Sequence, residues 1–222
     1  MTAKQIWLFT TPSVRFWEIK EESKRKSVPR RGSPAQRNAK AGDASAREPP
    51  YTGTSACGSS EKGRVKGQRS RMAKKRILIS NDDGIQARGI QALTAALAEV
   101  AEVYVCAPHR QRSAAGHGIT IREGIRAEEA EVWGAQAAYA ITGTPVDCVK
   151  LGLFLLRNRG IEVDMVFSGI NHGSNLGTDT IYSGTVSAAL EGNLKGYPAV
   201  AVSVMADEPV HFEAACGLAA FF

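Results

Sequence analysis

Apolar and polar positions begin to alternate in a structured way only after residue 71. Ile77, Leu78 and Ile79 form a short apolar run of the kind that fits a strand buried on both faces. Ile90, Leu93, Thr94, Leu97 and Val100 then recur at helical spacing, which puts one face of a helix on a sheet. Residues 103–107 predict a second strand and 108–118 a loop rich in Arg, Ser and Gly. Residues 119–122 and 137–142 read as extended, with 123–134 a polar excursion between them. A helix over 145–156 is signalled by Thr144 at the N-cap and Pro145 in the first turn. Residues 163–168 predict a strand, 169–180 a Gly/Asn loop, 185–194 a helix and 198–205 a further strand, and Phe212 opens one more helix. Strand and helix alternate throughout, which predicts an α/β fold with a mostly parallel sheet and helices on both faces.

The first 71 residues do not share this pattern. Trp7, Phe9, Phe16 and Trp17 lie near the start, and Ser, Gly, Pro, Ala, Lys and Arg follow without a usable period. Such a segment buries too little apolar surface to offset its ordering entropy, so a disordered basic extension over 1–71 is expected, followed by one globular domain over 72–222. Residues 1–76 hold 19 Lys+Arg and 6 Asp+Glu, and the rest of the chain 9 and 16. The net charge of +6 therefore describes neither part, and the mildly acidic domain argues against nucleic acid as its main ligand. The extension has three readings: a transit peptide, which Glu18, Glu21 and Glu22 oppose; a basic arm; or an upstream start, with Met72 the true beginning. The position of Met72 directly before the first strand favours the third. The four cysteines, Cys57, Cys106, Cys148 and Cys216, show no C-x-x-C spacing, so neither a zinc cluster nor a disulfide framework is indicated, in keeping with a reducing cytoplasm. No apolar run reaches the ~18 residues of a membrane span.

Candidate chemistry sits where the first strand ends. Asn81-Asp82-Asp83-Gly84 is a tight loop at the carboxyl end of a strand, the rim where open α/β sheets bind ligands. Adjacent carboxylates repel, and a hard divalent ion is the simplest way to keep both ionised, although an acidic turn has the same composition. Three further clusters fall on the same rim. In Arg110-Gln111-Arg112-Ser113, Ser113 offers a hydroxyl oxygen, but alone this reads as a polar surface loop. In Ser168-Gly169-Ile170-Asn171-His172-Gly173-Ser174-Asn175, the glycines let backbone approach a ligand and Asn171 supplies an amide oxygen; His172 stays unassigned. In Tyr182-Ser183-Gly184-Thr185, hydroxyls beside the first N–H groups of a helix suit either an anion site or ordinary N-capping. Carboxylates, a hydroxyl, an amide oxygen and an anion pocket together describe metal-assisted chemistry on a phosphate ester.

These segments, with Gly143-Thr144-Pro145-Val146-Asp147 and Asn175-Leu176-Gly177, resemble the SurE family of metal-dependent nucleotidases, in the family's order from about Arg76 to Phe222. The resemblance implies a Rossmann-like three-layer sandwich and a 5′-nucleotidase that releases phosphate from nucleoside monophosphates. It implies metal ligation by Asp82, Asp83, Ser113 and Asn171, with Mg²⁺ or Mn²⁺ as the ion and Asp82 and Asp83 as catalytic residues. Asn175, Ser183, Gly184 and Thr185 fall where the family lines its phosphate pocket. It further implies a homodimer or homotetramer built by a C-terminal arm that this chain is expected to lack, leaving the domain incomplete at its C-terminus. Two rivals differ in class. An aspartyl-phosphate phosphatase needs D-x-D after the first strand, where the carboxylates here are adjacent; the other rival is a non-catalytic Rossmann-like nucleotide-binding module or an inactive fragment.

Overall fold

The computed structural model describes residues 74–205 and 211–222 in full and the backbone of 3–10 and 13–20. In chain order the elements are β1 (Ala3–Thr10), β2 (Ser13–Lys20), β3 (Arg76–Ser80), α1 (Arg88–Ala98), β4 (Glu102–Pro108), β5 (Ala127–Ala130), β6 (Ala137–Ile141), α2 (Pro145–Asn158), β7 (Met165–His172), α3 (Asp179–Tyr182), α4 (Gly184–Leu194), β8 (Ala199–Met205) and α5 (Glu213–Ala219). The described strands form one sheet in the order β2-β1-β8-β7-β3-β4-β6-β5. Its centre, from β8 to β6, is parallel, as the alternation of strand and helix predicts. The edges are antiparallel: β5 pairs with β6, and the β1–β2 hairpin pairs through β1 with β8.

One element differs from expectation. Residues 119–122 form no strand; the extended segment is β5, inside the stretch that reads as a polar excursion. Ala127-Glu128-Glu129-Ala130 lies on a sheet edge with one face in water, so it lacks the apolar run that marks a buried strand, whereas Ile121 is 83% exposed. The hairpin β1–β2 lies within the leader, at residues 3–20. Ile6, Trp7, Leu8 and Phe9, with Val14, Phe16, Trp17 and Ile19, are residue types that favour strands, and β8 offers them an edge. The disorder expected for 21–71, and the proposed start at Met72, lie outside the described residues.

Side chains along each strand alternate between two cores. Ile77, Ile79, Val103, Val105, Phe167 and Val202 pack with Ile90, Leu93 and Leu97 of α1 and with Ala215 and Cys216 of α5. Leu78, Cys106 and Val166 pack on the other face with Cys148, Val149 and Leu156 of α2 and with Val186, Ala188 and Ala189 of α4. A sheet between two helical layers results, which is the three-layer sandwich. Helix α2 starts as its sequence predicts: Thr144 accepts from the Asp147 N–H, Asp147 accepts from the Thr144 N–H, and Pro145 occupies the first turn. Cys106, Cys148 and Cys216 are buried free thiols; burial pushes the first two well up and Cys216 up to about 11, so they act as apolar side chains.

Helix α1 approaches β7 so closely that a methyl group on Gly89 would overlap the Ile170 carbonyl oxygen. Both groups are backbone and neither can turn away. Gly89→Ala is therefore expected to destabilise the fold by about 1–3 kcal/mol or more, read as a lower urea midpoint. Gly217→Ala, in α5 with open space around the added methyl, serves as the control and is expected to be neutral or mildly stabilising.

Candidate metal centre

Chain order reverses between β3 and β7. From β3 the chain builds outward through β4 and β6, and from β7 it builds the other way to β8. Loops leaving the carboxyl ends of strands diverge at such a junction and leave a crevice. The loop after β3 carries Asp82 and Asp83, and the end of β7 carries Asn171.

The β3–α1 loop is held from within. Buried Asn81 donates from Nδ2 to the Gly84 carbonyl at 2.9 Å and accepts from the Gly84 N–H at 3.2 Å. Gly84 has φ of +100°, and a side chain there would press on the Arg110 backbone at 3.2 Å, so both conformation and space require glycine. Two backbone bonds tie this loop to the one after β4: Ile85 N–H to the Pro108 carbonyl at 2.8 Å, and Arg112 N–H to the Asp82 carbonyl at 2.7 Å. Ser113 is thereby brought beside Asp82 from a distant part of the chain.

Asp82, Asp83, Ser113 and Asn171 line one cavity of about 340 Å³, together with Asn175 and Ser183. Gln111, His172, Asp179 and Tyr182 complete its functional lining. Three carboxylates and several neutral oxygens face it, and among the described residues no Lys or Arg does. Asp82 is 8% exposed and Asp83 half-buried. Burial is the main cause holding both carboxyls above their ordinary range; the charge of Asp83 adds to the rise at Asp82. Hydrogen bonds oppose it. The Thr185 hydroxyl donates to Asp82, while the His172 N–H and Gln111 Nε2, the latter at 3.3 Å, donate to Asp83. The charge of His172 on the same wall also lowers the proton affinity of Asp83, as the smallest of these effects. Hard oxygen donors of mixed charge suit a Mg²⁺- or Mn²⁺-like ion.

Gly184 and Thr185 stand behind Asp82 rather than on the cavity wall. A methyl on Gly184 would lie 2.6 Å from the Asp82 Cβ, so glycine lets the N-terminus of α4 reach the carboxylate. Thr185 is fully buried and gives its hydroxyl to Asp82. Ser183 is the N-cap of α4, accepting from the Val186 N–H at 3.1 Å, and Asn175 donates to the Ser203 hydroxyl at 2.6 Å. Gln111, Asp179 and Tyr182 carry no role in the sequence pattern alone; a Gln or an Asp in a polar loop carries no signal until the fold places it.

A family model described as "Survival protein SurE" matches residues 77–221. The chain belongs to the SurE family. Among relatives, the 5′-nucleotidase SurE of Syntrophomonas wolfei is 56% identical over 129 residues, covering 58% of this chain and 48% of that protein. That of Pelotomaculum thermopropionicum is 57% identical over 130 residues, covering 58% and 49%. The crystal structure of the SurE protein from Aquifex aeolicus superposes with a TM-score of 0.57 at 37% identity, covering 66% of this chain and 57% of that one. The chain spans about half the length of the curated relatives it matches. The crevice described here lies wholly within the SurE-matched residues.

Two outcomes test the electrostatics of the SurE crevice. A carboxylate whose folded pKa is raised contributes stability below its unfolded pKa, and that contribution is lost as pH rises through the folded value. In EDTA near neutral pH, Asp83→Asn is therefore expected to unfold at a higher temperature than the parent, and the advantage is expected to vanish in acid, where the carboxyl is protonated. An unchanged or lower unfolding temperature at neutral pH contradicts the account. Separately, Thr185→Val keeps the shape but removes the donor to Asp82, and is expected to weaken Mn²⁺ binding about 10–100-fold by calorimetric titration.

Proposed function

We propose that this SurE domain is the core of a metal-dependent phosphomonoesterase that hydrolyses nucleoside 5′-monophosphates to nucleoside and inorganic phosphate. The observation that carries this reading is the convergence of Asp82, Asp83, Ser113 and Asn171 on one cavity at the sheet's switch point, with no Lys or Arg among the described residues of its wall. The names of the relatives, 5′-nucleotidase SurE, support the same substrate class.

Asp82, Asp83, Ser113 and Asn171 would hold the ion, the carboxylates supplying charge and the other two neutral oxygens. When bound, such an ion supplies Lewis-acid polarisation of a phosphoryl oxygen and lets water act as a nucleophile near neutral pH. Thr185 and Gln111 fix the carboxylates so that little reorganisation is needed when the substrate arrives. Asn175 and Ser183 form one wall of the cavity, Ser183 at the positive end of α4, and this is the side that would take the phosphate and orient it for in-line attack. Asp83, the more exposed of the two carboxylates, is the group assigned to take the proton of the attacking water. Assembly into a homodimer or homotetramer belongs to the same reading and rests on the family resemblance.

Phosphate release from AMP is the test, with Mn²⁺, with Mg²⁺ and with EDTA. Metal-dependent turnover is expected, and Asp83→Asn is expected to lower it by about 100-fold or more. AMP binding without phosphate release under any of the three conditions would replace this reading with the non-catalytic nucleotide-binding module.

A further inference from the structure

The loop after β4 carries Ser113 and Gln111 to the crevice yet has little apolar anchorage of its own. Residues 113 and 114 are exposed, and Ala114 sits at φ of +54°, a left-handed conformation that a non-glycine residue holds only when its surroundings impose it. Upstream of Ser113 the constraint is clear: the Arg112 N–H donates to the Asp82 carbonyl, and Arg112 Nη2 donates to the Thr142 carbonyl at 2.7 Å. Downstream, the Gly116 N–H donates to the Tyr182 carbonyl at 3.1 Å, and His117 Nε2 lies 3.0 Å from Oε2 of Glu191.

Glu191 is an unusual group for its place. It lies on α4, 6% exposed, on a helix otherwise packed with small residues, and its second oxygen is 3.5 Å from Nζ of Lys195. A buried carboxylate costs stability unless its partners satisfy it, and here the partner from outside the helix is His117. The same helix begins with the residues that back Asp82. One rigid element therefore holds both sides of the crevice: Thr185 fixes Asp82 at its start, and Glu191 anchors the Ser113 loop two turns further on.

We propose that the His117–Glu191 pair is a positioning strut that holds the Ser113 loop at the metal centre. Neither residue touches the cavity; they act through Ser113, and the proposal rests on the metal-binding reading given above. The strut spends a buried charge to keep an exposed, strained loop in one place, so a cation meets Ser113 and the carboxylates already assembled.

The experiment is a Mn²⁺ titration of the 222-residue chain and of His117→Ala, each with Ser113 present and with Ser113→Ala. His117→Ala is expected to raise the Mn²⁺ dissociation constant about tenfold when Ser113 is present and to change it by less than about twofold when Ser113 is absent. His117→Gln, which retains a side-chain donor, is expected to recover part of the affinity. Equal losses in both backgrounds, or no loss in either, overturn the proposal. A purely structural pair would lower the unfolding temperature and leave the dissociation constant alone. Amide exchange in the metal-free chain gives an independent reading: Gly116 is expected to exchange about tenfold faster in His117→Ala, and unchanged protection overturns the strut even if Ser113→Ala binds too weakly to titrate. A parent chain that binds no Mn²⁺ at all sinks the metal reading itself, and this inference with it.

Discussion

Two carboxylates adjacent in sequence and drawn into a crevice are the constraint around which the rest is arranged. Asp82 and Asp83 are both held above their ordinary proton affinity, chiefly by burial, and among the described residues no Lys or Arg lines the cavity to relieve them. The surrounding structure invests in that arrangement. Asn81 and Gly84 close the loop, Thr185 and Gln111 donate to the carboxylates, and Gly184 lets a helix approach at a distance no other residue permits. Stability spent at one point in this way is characteristic of a site prepared for a ligand that repays it.

Much of the framework was legible from periodicity. β3, α1, β4, α2, α4 and β8 fall where apolar spacing places them, because each is buried and its pattern is dictated by the sheet. Thr144 and Pro145 announced the start of α2 through capping chemistry that depends on neighbours in the chain alone. The miss at β5 has a physical cause. It is an edge strand with exposed glutamates, and its pairing with β6 decides what local pattern does not.

The site was legible in part for a similar reason. Asp82, Asp83, Ser113 and Asn171 are recognisable as oxygen donors that follow strands, so topology alone suggests they share a rim. What spacing cannot show is how each hydroxyl is used. Ser183 and Thr185 sit two residues apart at one helix start, yet one caps the helix and the other turns to Asp82. Their difference arises from the approach of α4 to β3, which is a matter of packing. Likewise Gln111, His117 and Glu191 acquire meaning only once the loop after β4 is seen lying between α2 and α4.

The central claim is geometric: four oxygen donors from three separate segments of the chain meet at one cation. A crystal soaked in Mn²⁺ and phosphate, with anomalous scattering recorded at the manganese edge, addresses it most directly. The account predicts one strong peak in the crevice, contacted by Asp82, Asp83, Ser113 and Asn171 at about 2.0–2.4 Å, with phosphate on its Asn175–Ser183 side. A peak elsewhere, or one in the crevice that Ser113 and Asn171 do not reach, would contradict it.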